Sequence, residues 1–198
     1  MIDRIISKID ELIDTQGAAC ASTPIIIAID GRCASGKSTL ADHLKEHYED
    51  ATVIRMDHFF LQPYQRTEER SLEPGGNVDR ERFLEEVLKP LKKGENLSYK
   101  PFDCKTMTFA EEVIVLKRKI TIIEGSYSCH PDLAEYYDLK IFLNIDEAEQ
   151  LKRIEKRNGQ NTFMFKEKWI PLEEKYFEAF KISENSDIYW ENGLLFPV

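Results

Sequence analysis

Positive charge is in short supply in this sequence. Over 198 residues, 27 lysines and arginines face 36 aspartates and glutamates, a formal net charge of -9. A chain that binds nucleic acid through its phosphates has the opposite balance, so nucleic acid is not an expected partner. A local basic pocket for a small anion remains compatible with that total. Cysteine is scarce as well. Cys20, Cys33, Cys104 and Cys129 include no C-x-x-C pair, which argues against a zinc module or a disulfide scaffold. Reduced thiols and a cytoplasmic location are the expectation. Long apolar runs are missing. The longest, Pro24 to Ile29, falls far short of the roughly 18 residues of a membrane span. The opening MIDRIISKIDELID carries acids where a signal peptide has its apolar centre.

What is present suits one compact α/β domain. Ile2, Ile5, Ile6, Ile9, Leu12 and Ile13 recur at the helical period and predict an amphipathic helix over residues 2–15. Its polar face mixes acids and bases, which disfavours a membrane-surface role. Its isoleucine stripe suits either packing within the chain or an interface in a homo-oligomer. PIIIAID predicts a buried strand, Ile25 to Asp30, followed by a helix from Ser38 to Tyr48. A second strand runs from Thr52 to Asp57. The polar stretch Gln62 to Asn77 is long for a connector, which favours a substrate-facing loop. A helix starts at Asp79 as N-cap, without a reciprocal capping box because Arg82 stands three residues on. Pro90 is expected to kink its last turn and Gly94 to end it.

Leu97 to Phe102 and Met107 to Leu116 predict an inserted hairpin over residues 97–116, joined through DCKT. Further strands are expected at Lys119 to Glu124, at Asp138 to Ile145 and in SDIYW. Helices are expected at Pro131 to Tyr136, Asp146 to Asn158 and Phe163 to Lys181, the last interrupted by Pro171. Strands that alternate with helices predict a mainly parallel sheet covered on both faces.

The strongest local signal is GRCASGKS, Gly31 to Ser38, which fits G-x-x-x-x-G-K-[ST] between a strand and a helix. Glycines let the backbone wrap closely around phosphate oxygens. Successive N–H groups of Gly31, Cys33, Ala34, Ser35 and Gly36 form an anion nest, and the helix aims its positive end at the same oxygens. Lys37 adds a point charge near the β- and γ-phosphates, and the Ser38 hydroxyl is placed to join a magnesium shell. Thr39 belongs to the same segment as a hydrogen-bonding residue of the first helical turn. The alternative is a Gly-rich turn with a surface lysine.

Two acids end buried strands. Asp57, in RMDHFF, either orients an acceptor hydroxyl and takes its proton or caps the next turn. Glu124, in TIIEGS, either orders magnesium-bound water or makes a structural hydrogen bond. The histidines are read as structural. His58 points away from Asp57 by strand alternation, His43 and His47 lack the HExxH glutamate, and His130 starts a helix. GSYSC is not the G-x-S-x-G elbow. Arg153 and Arg157 lie four apart on one helix face, before a loop opened by Asn158 and Gly159. They suit a short lid, about residues 157–166, that stabilises charge on a transferring phosphoryl group. The alternative is a solvated basic stripe paired with Glu149 and Glu155. Phe163, Phe165 and Trp169 are expected to pack, whereas Tyr64 and Phe102 are candidates to contact a substrate ring or sugar.

Together these segments resemble the uridine kinase family, within the P-loop kinases that include phosphoribulokinase and pantothenate kinase. The likeness runs from Ile25 to Ile188. MDHFF resembles the family's acid-x-Phe-Tyr segment, which implies a catalytic base at Asp57. GGNVDRERF resembles the segment whose Asp contacts the ribose, which implies that role for Asp79. KPFDCKT resembles the hairpin over the nucleoside base, with Phe102 at the usual Tyr position. IIEGSY implies Glu124 near magnesium, and LKRIEKRNG implies phosphate contacts from Arg153 and Arg157. The fold implied is a three-layer P-loop NTPase/kinase fold. The activity implied is phosphoryl transfer from ATP or GTP, with Mg2+, to a hydroxyl of a nucleoside or similar metabolite. Two departures stand out. Met107 occupies the place of the hairpin histidine, and Asn158 follows Arg157 where uridine kinases have Asp. The phosphate machinery is present, and the pyrimidine reader is altered. A second class, a P-loop switch that hydrolyses nucleotide to act on a protein partner, would need a positioned water in place of an acceptor.

Overall fold

The computed structural model describes residues 2–16, 23–159 and 162–191. Its strands are Ile25–Gly31 (β1), Ala51–Arg55 (β2), Leu97–Tyr99 (β3), Phe102–Asp103 (β4), Thr108–Phe109 (β5), Val113–Val115 (β6), Ile120–Glu124 (β7), Leu139–Leu143 (β8) and Ile188–Trp190 (β9). Five of them form one parallel sheet in the order β2-β7-β1-β8-β9. The register sets Glu124 beside both Ile29 and Arg55, and Gly31 beside Leu143. Every strand therefore ends its carboxyl side on one edge, where ligands of open α/β sheets bind.

Side chains alternate across β1 and divide the core. Ile25, Ile27 and Ile29 pack with Leu40 and Leu44 of the helix Lys37–His47 and with Ile5 and Ile9 of the helix Ile2–Gln16. The N-terminal isoleucine stripe is thus turned onto the sheet. On the other face Ile26 and Ala28 join Phe83, Val87, Tyr176 and Phe177. The three-layer α/β arrangement is as expected. No helix among the described residues is long and apolar enough to cross a membrane.

Several boundaries differ from the sequence reading. The second strand stops at Arg55, and Asp57 stands on a 3-10 turn, Met56–Phe59. The stretch read as a loop holds a 3-10 turn, Pro63–Gln65, and a short helix, Glu68–Leu72, capped by Thr67. The inserted hairpin is two short antiparallel ladders, β3 with β6 and β4 with β5, separated at Pro101, which lacks an N–H to continue a ladder. Neither interior proline ends its helix. A π-turn, Leu84–Leu88, precedes Pro90, and another, Phe165–Trp169, precedes Pro171. A wider turn accommodates a residue with no N–H and a ring that would crowd the carbonyl of an ordinary turn.

Candidate active site

The phosphate loop begins where β1 meets β8. Gly31 has φ +138°, and a Cβ there would lie 2.1 Å from the Leu143 carbonyl oxygen, so only glycine fits. Ala34 and Gly36 take positive φ of 62° and 98°, the alternation that turns successive N–H groups to one side. Gly36 is the N-cap of the helix Lys37–His47 and supplies no side-chain acceptor to its first N–H groups. Those groups have no intrahelical partner either, so the loop fits a phosphate chain. Cys33, Ala34, Gly36, Lys37, Ser38 and Thr39 all line the cavity above it. Gly31 and Ser35 do not. The Ser35 N–H donates to the Arg32 carbonyl at 3.1 Å, and the Gly31 carbonyl accepts from Lys37, so both support the turn of the loop.

Lys37 is buried, and its Nζ donates to the Gly31 and Arg32 carbonyls at 2.8 and 2.9 Å. Ser38 Oγ donates to Glu124 Oε1 at 3.1 Å, and Arg55 holds Glu124 Oε2 at 2.9 Å. Burial pushes the Glu124 pKa up, Lys37 pulls it down and Asp57 pushes it up again. A hydroxyl beside a carboxylate suits a hard cation. Among the described residues no group of three His, Cys, Asp or Glu could hold a metal alone. Magnesium at Ser38 and Glu124 would have to share phosphate oxygens, as that ion commonly does.

Asp57 opens onto the same cavity as Lys37, a space of about 1610 Å³. It is exposed, and the turn that carries it is held from both sides. Gly125 abuts it so closely that a Cβ would lie 2.7 Å from Met56 Cβ. Arg82 donates to the His58 carbonyl at 2.8 Å. His58 itself turns to the Tyr99 hydroxyl at 3.0 Å, and burial lowers its pKa, in line with a structural role.

Two arginines of the helix Glu147–Asn158 reach the phosphate loop. Arg153 NH1 donates to the Ala34 carbonyl at 3.3 Å and its Nε pairs with Glu149. Arg157 NH2 lies 3.4 Å from Cys33 Sγ, with its guanidinium 5.8 Å from the Phe165 ring centroid. With Lys152, Lys156 and Arg66 they give an acidic protein a cation-rich cavity wall. Gln160 and Asn161, inside the expected lid, lie outside the described residues.

Three expected substrate contacts are not on that wall. Tyr64 is 75% exposed on the outer surface. Phe102 is buried edge-on against Phe109 within the hairpin. Asp79 is buried as a helix cap, accepting from the Arg82 N–H at 3.1 Å and from Gln65 Nε2 at 2.9 Å. Phe60, Leu61, Asn77, Cys104 and Tyr127 line the region instead. Phe163, expected to pack, is 67% exposed.

Sequence reasoning missed Glu173, whose carboxylate accepts from the Cys33 N–H at 2.9 Å and from Ser126 Oγ at 2.7 Å. Burial pushes its pKa up, against the pull of Lys37. A signal was available. Residues 173, 176 and 177 share one helix face, so an acid there stands among the core residues Tyr176 and Phe177.

The model of the Phosphoribulokinase / Uridine kinase family matches residues 26–176. A uridine kinase from Clostridium novyi (strain NT) is 31% identical over 137 residues, which cover 66% of this chain and 66% of that one. The chain spans about two thirds or less of the length of the first curated relatives it matches. A structure described as a possible uridine kinase from Bacillus stearothermophilus superposes with TM-score 0.67 at 20% identity, covering 94% of this chain and 99% of that one. A candidate fructose transport system kinase from Silicibacter sp. TM1040 gives TM-score 0.68 at 24% identity, with 96% and 98% covered. These two share the fold.

Proposed function

The chain belongs to the phosphoribulokinase / uridine kinase family, and from that premise we propose that it is an ATP-dependent kinase acting on a small metabolite. The acceptor group is a hydroxyl, on a nucleoside such as uridine or cytidine or on a related metabolite. The observation that carries this reading is the shared cavity of Lys37 and Asp57. A phosphoryl donor held by the loop and an acceptor held at the turn after β2 would meet there without crossing the protein. The likeness to the Clostridium uridine kinase supports a nucleoside, and the methionine at position 107 in the hairpin weighs against the usual pyrimidine contact.

The geometry supports a role for each residue of the site. The N–H groups of the loop and helix start hold the phosphate chain. Lys37 exchanges its two carbonyl partners for phosphate oxygens. Asp57 orients the acceptor hydroxyl and takes its proton as the new O–P bond forms. Arg153 and Arg157 stabilise charge on the phosphoryl oxygens during transfer. Mg2+ would supply neutralisation of the phosphate charge, and Ser38 and Glu124 are the residues that would hold it. Closure of the helix Glu147–Asn158 over the loop keeps water from the reacting centre.

A panel of nucleosides, sugars and hydroxy acids, each with ATP and Mg2+, tests the reading by ADP release. One acceptor should accelerate release strongly, and Asp57→Asn should lower that rate by about 100-fold or more while the Kd for ATP stays unchanged. Release that no acceptor alters would favour a hydrolysing switch. Full activity in Asp57→Asn would remove the base role.

A further inference from the structure

Among the described residues, the cavity wall holds one buried carboxylate with no part in the chemistry above. Glu173 is 6% exposed, on the helix Ile170–Phe180. That helix is anchored one turn on, where the Tyr176 hydroxyl donates to Asp30 Oδ2 at 2.8 Å beneath the sheet edge. The Glu173 carboxylate is thereby aimed at the phosphate loop. Its Oε2 takes the Cys33 N–H at 2.9 Å, and Ser126 Oγ secures its Oε1 at 2.7 Å.

Cys33 marks a particular end of the loop. The helix N-terminus at Gly36 to Ser38 is the place for the inner phosphates. Cys33 lies away from it, on the side where the helix Glu147–Asn158 converges. Gln150 Nε2 donates to the Cys33 carbonyl at 3.0 Å, and Arg153 and Arg157 arrive at Ala34 and Cys33. Arginines suited to the transferring group and the Cys33 N–H therefore face the same phosphate, the terminal one. A carboxylate and a phosphate oxygen cannot share that single N–H. Inside a protein, two negative charges at such range repel far more strongly than in water.

We propose that Glu173 is a built-in competitor for the terminal phosphate, holding the Cys33 N–H that a nucleoside triphosphate must take from it. A diphosphate ends short of Cys33 and meets no such competition. Glu173 therefore weakens the binding of ATP and leaves that of ADP nearly untouched. Once the phosphoryl group has been transferred, the carboxylate is at hand to retake the N–H. The inference rests on the nucleotide-binding reading of the loop.

Calorimetric titration of the full chain with ATP and with ADP, each with Mg2+, tests it. Glu173→Gln keeps the side-chain shape and removes the charge. Ser126→Ala removes the hydroxyl that secures Oε1. Glu173→Gln should bind ATP about tenfold more tightly than wild type, equivalent to about 1.4 kcal/mol, with ADP affinity nearly unchanged. Ser126→Ala should move in the same direction by a smaller factor, and it carries the test alone if Glu173→Gln folds poorly. A gain confined to ATP is not what a loosened fold produces. Unchanged or weaker ATP binding in the variants overturns the proposal, as does an equal gain for ADP; in both cases wild-type binding keeps the kinase reading standing. Failure of the wild type to bind either nucleotide overturns both.

Discussion

Asp30, at the end of β1, is fully buried and ringed by donors. Its Oδ1 accepts the N–H groups of Gly31 and Tyr127 at 2.6 and 3.2 Å, and its Oδ2 accepts the Cys129 N–H at 2.9 Å and the Tyr176 hydroxyl. One carboxylate thus ties the phosphate loop, the turn after β7 and the helix of Glu173. Burial nevertheless outweighs those bonds and raises its pKa from 3.8 to about 6. Between these values the folded chain holds a proton that the unfolded chain has lost, so stability falls as pH rises through that window and levels off above it. Asp30→Asn has no such slope. It also turns an amide toward two donors, which at neutral pH should cost about 1–3 kcal/mol. Urea unfolding of both proteins from pH 4 to pH 8 checks this. The gap between them should narrow up to about pH 6, and a gap independent of pH would contradict the buried charge. At this scale the sequence was readable where a residue's role is set by its immediate neighbours. Lys37 and Ser38 are marked by a motif and Glu124 by its place at a strand end, whereas Asp57, read as ending the second strand, stands two residues past it on the turn Met56–Phe59. Glu173 meets Cys33 across 140 positions of chain, and no local pattern announces that partner. Tyr64 and Phe102 illustrate the converse, since an aromatic residue in a polar stretch has the same sequence signature outside a cavity as inside it.

Among the elements, the helix over residues 80–93 does more than cover the sheet. Its Arg82 donates to the His58 carbonyl and to the Lys100 carbonyl, both at 2.8 Å. Its guanidinium stands 4.3 Å from the Phe59 ring centroid and 5.1 Å from that of Phe109. It clasps the turn that carries Asp57 to the inserted hairpin, whose Cys104 lines the cavity. Arg82→Ala should therefore free the hairpin and loosen the turn together. Amide exchange should accelerate at residues 102–109. The acceptor KM should rise by about tenfold, a loss of about 1.4 kcal/mol of binding, while the Kd for ATP holds, because the contacts of Arg82 are with the turn and the hairpin. Unaltered exchange in the hairpin would show that Arg82 is not the clasp. The same element shows how far pattern reading extends. Apolar spacing located the helix and Asp79 its start, but it did not announce the π-turn Leu84–Leu88 ahead of Pro90. The π-turn that absorbs the proline depends on how the helix packs, which the periodicity of one segment does not record.

For the molecule as a whole, the parallel order β2-β7-β1-β8-β9 converts separate sequence signals into one site. Strand–helix alternation made the parallel sheet legible, and parallel strands deliver Gly31, Asp57 and Glu124 to a common edge. The strand order itself was not legible, because the pairing of β1 with β7 joins segments almost a hundred residues apart. The loop is continuous with β1, its lysine is buried against the Gly31 and Arg32 carbonyls, and Arg153 and Arg157 reach it from a helix that follows β8. A ligand held there would bridge the sheet and the helix Glu147–Asn158, so its binding should be felt as global stability. At an ATP concentration 100 times its Kd, with Mg2+, the unfolding free energy should rise by about 2.7 kcal/mol, a Tm increase of roughly 5–10 °C for a domain of this size. Lys37→Ala should fold, since the change removes two carbonyl contacts and no core side chain, yet show almost no ATP-dependent shift at the same concentration. Thermal unfolding followed by circular dichroism measures both. An equal shift in the two proteins would mean that ATP binds somewhere other than the loop after β1, and the arrangement of Lys37, Asp57 and the lid arginines would then have no nucleotide to act on.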